Sequence, residues 1–289
     1  RDVLGSRGLG DVYKRQVSAL ASVGATGSVN YLILGFVIGV CNGFAIPIAQ
    51  LFGARDYKDL RRHVANAAWL CMAASVVLTI STVALTRPMM QLMQTPDDII
   101  DGAVIYIGWI FAGIPFIFLY NMVAAIMRAL GDSKTPLYFL ILTSALNIGL
   151  DLLFIVPFHF GVFGAALATL IAQGISAVFS LLIFLSRMRR YQSPFQRFDG
   201  WELRSILRIA VPSVLQQSTV SIGMMIVQAV VNPFGTQALA GYAATMRVEN
   251  VFSLIFVSIG NAVSPYVSQN LGAKKINLSL IHISEPTRP

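Results

Sequence analysis

Runs of about twenty apolar residues, each closed by a short polar or charged turn, recur along this chain. Seven stand out, at residues 31–52, 64–85, 105–127, 137–156, 162–185, 209–231 and 248–271, and residues 17–28 read as the remnant of one more helix. Twenty residues at a rise of about 1.5 Å cover the ~30 Å hydrocarbon layer of a bilayer. Inside lipid, helices and closed barrels alone satisfy their own backbone hydrogen bonds. The pattern therefore predicts an all-α polytopic membrane protein. Gly35, Gly39, Asn42, Pro47, Pro115 and Pro265 interrupt the runs; membrane helices tolerate such residues, which there mark close packing or a kink.

Composition narrows the class. Of 289 residues, 56% are hydrophobic and 12% charged, with a mean hydropathy of +0.70, which excludes a soluble globular enzyme. A net charge of +8 would suit nucleic acid, but the basic residues fall in short clusters between apolar runs, not along one polar face. Cys41 and Cys71 lie inside apolar runs without metal spacing and read as small buried hydrophobes. No Walker-type phosphate loop, nucleophile elbow or His/Glu zinc motif is present. The chain is thus expected to be no enzyme and to need no cofactor.

Both ends look foreign. Residues 6–16 (SRGLGDVYKRQ) and 278–288 (LSLIHISEPTR) can be encoded by the two strands of a single DNA string. The pair resembles the transposon mosaic-end adaptor of sequencing libraries. Residues 1–16 and 278–289 are accordingly expected to be adaptor-derived, and the chain a gene fragment whose natural part runs from about 17 to about 277. His282, Glu285 and the Lys14 and Arg15 pair then carry no functional weight.

Charge sets the expected orientation. One set of turns holds Arg55, Lys58, Arg61, Arg62, Arg128, Lys134, Arg187, Arg189, Arg190, Arg197, Arg204, Arg208, Lys274 and Lys275; the opposite set holds Arg87 and Arg247. Fourteen against two places the first set in the cytoplasm. Residues 191–208, basic and carrying Pro194 and Gly200, read as a linker between a first bundle at 17–190 and the start of a second at 209–277. A shift of 219 residues aligns Ala19/Ala238, Thr26/Thr245, Asn42/Asn261, Gln50/Gln269 and Gly53/Gly272 among ten identities in about forty gap-free positions. Six crossings separate the two copies, so they point the same way and form a parallel repeat about an axis along the membrane normal.

The strings AQLFGARDYKDLRR (49–62), MRALGDSKTPLYF (127–139), NIGLDLLFI (147–155), GVFGAALATLIAQ (161–173) and SQNLGAKK (268–275), in that order, resemble the multidrug and toxic compound extrusion (MATE) transporters. The resemblance implies twelve helices in two six-helix bundles, of which this chain would hold the end of helix 1 and helices 2 to 8. It implies a multi-pass protein of a prokaryotic plasma (inner) membrane that exports small cationic or amphiphilic compounds in exchange for H⁺ or Na⁺ by alternating access. Nucleic acid and an obligate protein partner are not expected. Within these strings, Gly53 and Gly272 suit helix ends closed by glycine, Pro136 suits a helix start, and Gly131, Asp132 and Ser133 suit a tight turn.

Of the natural acidic residues, Asp151 alone lies well inside a run. Counting inward from the turns at Pro157 and Gly161, Asp151 is ~9 Å deep, Asn147 ~15 Å and Thr169 ~12 Å, so antiparallel neighbours would bring the three to one level. A carboxylate facing lipid costs several kcal/mol, hence a cavity or a partner is expected. It could exchange a proton, or the three oxygens could hold Na⁺; a structural hydrogen bond is the plainer reading. The resemblance assigns the positions of Asn147, Asp151 and Thr169 to the first bundle's cation-coupling network. That network also uses an aspartate in helix 1, where this chain is replaced by adaptor. Some relatives use an acidic residue in helix 7, where this chain offers Gln216, Gln217 and Gln228. Gln216 and Gln217 would touch substrate or bond between helices. Glu249 beside Arg247 suits a local ion pair, and His63 and His159 read as solvated. Met89, Met90, Met93, Met224, Met225, Phe111, Phe116 and Phe118 suit core or lipid contact, with a soft pocket as the other use. A lipid-linked saccharide flippase would need a cavity rich in Arg and Lys, and a membrane-embedded enzyme clustered His, Asp or Ser. A fourth possibility is a truncated bundle without activity.

Overall fold

The computed structural model describes residues 22–23, 26–93, 95–189, 191, 200–231 and 236–278. Its helices are α1 (Gly27–Gly53), α2 (Tyr57–Leu92), α3 (Asp97–Ala112), α4 (Ile114–Ala129), α5 (Lys134–Ile155), α6 (Gly161–Met188), α7 (Gly200–Val231) and α8 (Thr236–Gly272). Among the described residues there is no strand. Among the described residues five helices are long and apolar enough to cross a membrane, and the bent pair α3 and α4 counts as a sixth if the two form one span. In α7 the side chains of Met225, Gln228 and Ala229 lie outside the described residues.

The run at 105–127 is expected as one helix, and it breaks. Helix α3 ends at Gly113 and α4 departs at 45°. Pro115 has no N–H to return to the Phe111 carbonyl, and the Gly113 N–H is shared between the carbonyls of Trp109 and Ile110. Elsewhere the helices outrun their apolar segments. Helix α2 takes in Lys58, Arg61, Arg62 and His63, and α7 begins at Gly200, inside the stretch expected as linker.

Apolar surface is abundant. Val76, Val77, Ile80 and Val83 on α2, Leu140, Ile141, Ile148 and Leu152 on α5, and Val251, Leu254, Ile255 and Phe256 on α8 are all exposed. In α5 only 6% of the apolar window is buried. Contiguous apolar faces of this extent are stable against hydrocarbon and not against water.

The chain forms two compact units. The first comprises the described residues within 22–34, 72–120 and 137–181, the second those within 35–71, 121–136 and 182–278. In the first unit, α5 and α6 form an antiparallel pair. Their turn is closed by a hydrogen bond from the Phe160 N–H to the Phe154 carbonyl, passes through positive φ at His159 and Gly161, and is packed by the rings of Phe154, Phe158, Phe160 and Phe163.

In the second unit, glycines at four-residue spacing let α1 meet α7 closely. A Cβ on Gly35 would lie 2.9 Å from the Ser221 Oγ, one on Gly39 3.2 Å from the Val214 Cα, and one on Gly43 2.7 Å from the Ala210 Cα. Two glycines that the 219-residue shift pairs, Gly53 and Gly272, make a reciprocal contact. A Cβ on Gly53 would lie 1.9 Å from the Gln269 carbonyl oxygen, and one on Gly272 would lie 1.9 Å from the Gln50 carbonyl oxygen. Gly53 and Gly272 are therefore last-turn residues that let two backbones touch, and the expectation that glycine closes these two helix ends is corrected. Arg55 and Lys274, both at φ 59, take the left-handed conformation there. Asp56 and Lys275 donate to the carbonyls of Leu51 and Asn270, five residues back, which completes the same C-terminal motif at each copy. At the end of α4, Gly131 at φ 83 does what glycine is expected to do.

Candidate functional site

Thr143, Asn147 and Asp151 follow one another at four-residue spacing along one face of α5. Thr143 donates its hydroxyl to Ser176 Oγ of α6, and one turn on the Asn147 Nδ2 donates to Thr169 Oγ1 at 3.2 Å. Thr169 in turn donates to the Ala165 carbonyl at 2.9 Å, so its hydroxyl is oriented by its own helix. A further turn along α5, the Asp151 Oδ1 atom is buried and has no hydrogen-bond partner among the described residues. Tyr106, from α3, lies within electrostatic reach of this carboxylate. A buried carboxylate oxygen without a donor costs roughly 1–3 kcal/mol or more, which singles out Asp151 as a candidate for taking up a proton or a cation. Asn147 and Thr169 offer the oxygen chemistry such an ion needs. Among the described residues no group of three or more His, Cys, Asp and Glu side chains could hold a metal ion.

The second unit holds a cavity of ≈ 380 Å³ between α1, α4, α7 and α8. Asn42, Arg128, Gln216, Gln217, Asn261 and Ser268 are among the residues that line it. Asn42 and Asn261 are the same position in the two copies of the repeat. The Arg128 Nη2 donates to the Asn42 Oδ1 at 3.4 Å, near the outer limit of a hydrogen bond. Gln269, also a repeat position, donates its Nε2 to the Ala129 carbonyl at 2.7 Å and ties α8 to the end of α4.

Comparison with known proteins gives these sites their context. The MatE family model matches residues 12–153 and 212–279, well over half of the chain. The chain belongs to the MatE family. It is 31% identical over 255 residues to a Bacillus subtilis protein named probable multidrug resistance protein YpnP, covering 88% of this chain and 57% of that one. It is 25% identical over 267 residues to a FAD transporter of Shewanella oneidensis, covering 88% and 58%. Among solved structures, a MOP superfamily transporter from Pyrococcus furiosus superposes with a TM-score of 0.83 at 25% identity, over 93% of this chain and 61% of the other. This MatE chain thus spans less than two thirds of the length of these relatives.

The MatE chain brings Asn147 and Thr169 into contact and sets Asp151 one helical turn away, not bonded to either. Gln216 and Gln217 both line the cavity. Glu249 is exposed, and the Arg247 side chain expected beside it lies outside the described residues. His63, expected in a solvated turn, is half-buried within α2 with its Nδ1 3.1 Å from the Asp59 carbonyl; His159 is exposed. Met90, Phe111 and Phe118 are buried in packed regions and do not line the cavity. Cys41 and Cys71 are buried free thiols. Two residues escape the sequence reading. Tyr106 gives no signal that separates it from other aromatic residues in apolar runs. Arg128 reads as a turn residue, yet it belongs to the last turn of α4 and faces a cavity.

Proposed function

We propose that this MatE chain carries the cation-coupling half of a secondary active efflux antiporter that exports small amphiphilic compounds in exchange for H⁺ or Na⁺. One observation carries the reading: the Asp151 Oδ1, buried and without a donor, one turn from the Asn147–Thr169 hydrogen bond. Family membership and the multidrug and FAD transporter names of its relatives support transport as the activity. Asp151, Asn147 and Thr169 bind the coupling ion, and its arrival or departure shifts the balance between two states of the transport path. Residues 17–190 form the first bundle, residues 209–277 begin the second, and the reciprocal Gly53 and Gly272 contact supports a parallel repeat between them. The arginine- and lysine-rich turns lie in the cytoplasm of a prokaryotic cell.

The test is transport in liposomes by the chain continued to the length of its relatives, with an H⁺ or a Na⁺ gradient imposed separately. One gradient is expected to drive uptake of a fluorescent amphiphile several-fold above the ungraded rate. Transport indifferent to both gradients would overturn the coupling assignment.

A further inference from the structure

The cavity of the second unit has one fully charged side chain on its wall, and the charge is positive. Arg128 is that residue; no Asp, Glu, Lys or His joins it among the described lining residues. Around it stand carboxamides, of which Asn42 and Asn261 are related by the repeat and Gln216 and Gln217 come from α7. An arginine in the last turn of a helix complements the helix dipole wherever its side chain points. Facing a cavity is a further feature, and it brings a planar guanidinium fork, one nitrogen of which already donates to Asn42, to the wall. Asp132, the nearest acidic residue in sequence, is held by Arg187 and Thr135. A cavity of ≈ 380 Å³ falls within the range of small-molecule sites. A guanidinium backed by amide donors selects a group that carries negative charge and several acceptor oxygens.

We propose that this cavity binds the anionic group, a carboxylate or phosphate, of an amphiphilic compound, with Arg128 as counter-charge and Asn42 and Asn261 as flanking donors. The proposal deepens the transport reading by naming a substrate class, anionic or zwitterionic, that the acidic Asp151 site does not suggest. It is tested by binding, so failure of coupled transport and failure of this site are separate results. The shared chemistry could also come from the headgroup of an anionic lipid.

Riboflavin and its 5′-phosphate differ by one phosphate and report binding through their own fluorescence. Titrated into the purified chain in neutral detergent, the phosphate is expected to bind at least about tenfold tighter than riboflavin, the worth of one charge-assisted contact. Arg128→Gln should bring the affinity for the flavin phosphate down to that for riboflavin, and Arg128→Lys should keep part of the preference. Should Arg128→Gln fail to fold, Asn261→Asp provides the second variant: it sets a negative charge in the cavity and should erase the preference alone. Given the preference, displacement of the flavin phosphate by phosphatidylglycerol but not phosphatidylcholine assigns the site to lipid headgroups, and no displacement assigns it to soluble anions. No measurable binding of the flavin phosphate, equal affinity for the two flavins, or a preference unchanged in the variants would overturn the proposal.

Discussion

Asp132 accepts hydrogen bonds from the Thr135 hydroxyl and from the backbone N–H groups of Lys134 and Thr135, and it pairs with Arg187. It thereby caps α5 and ties that helix start to the end of α6. Burial alone would raise its pKa; the Thr135 bonds, the Arg187 charge and the Lys134 N–H outweigh burial and hold the carboxyl below its ordinary value of 3.8. A depressed folded pKa contributes stability above the unfolded value that is lost as pH falls through the folded one. Asp132→Ala is therefore expected to cost about 1–2 kcal/mol at neutral pH, as a lost cap and a part-exposed ion pair, with the difference from wild type shrinking below about pH 4. Thermal unfolding in detergent across pH measures this; a difference that persists unchanged in acid would assign Asp132 no ionised role. At this scale the sequence is legible in part. Asp151 announces itself, because a carboxylate inside an apolar run has no cheap structural explanation. Tyr106 does not, since tyrosine is at home in any packed core, and Arg128 sits where a loop and a last helical turn look alike.

The helices show how close backbone contact is written into the chain. Gly53 and Gly272 occupy equivalent places in the repeat, and each faces the partner copy's glutamine carbonyl. The spacing of the repeat reveals that these glycines correspond, but not what they are for, because a glycine followed by a cation also reads as a helix cap. The distinction rests on contacts between residues more than two hundred positions apart, Gly53 with Gln269 and Gly272 with Gln50, which no local pattern contains. Gly53→Ala should force the helices apart and destabilise by about 1–3 kcal/mol. Gly149→Ala, in α5 with nothing within 4 Å of the added methyl, should be neutral or stabilising by up to about 1 kcal/mol. Equal effects of the two substitutions, read by the same unfolding assay, would remove the close-packing explanation. The break at Gly113 is legible only as a possibility, since Pro115 permits either a tolerated kink or a bend. The 45° bend itself is a property of the folded chain that no local pattern states.

For the molecule as a whole, the succession of apolar runs and the alternation of charge suffice to predict an all-helical membrane protein, and the helices bear out that class. The orientation follows from charge alone and awaits a direct test. With Cys41 and Cys71 buried, single cysteines introduced at Lys58 and at His159 should label from opposite sides of an intact cell, His159→Cys from outside with an impermeant maleimide and Lys58→Cys only after permeabilisation; the reverse pattern would invert the topology. In the proposed exchange Asp151 holds the coupling ion, and substrate binding favours the state that releases it. The most direct measurement of this claim is cation release: substrate is added to the purified protein in weakly buffered detergent, and H⁺ or Na⁺ appearing in solution is counted for the wild type and for Asp151→Asn. Release approaching one cation per bound substrate in the wild type, and none in the variant that still binds substrate, is the predicted result. Equal release from both proteins would contradict the claim.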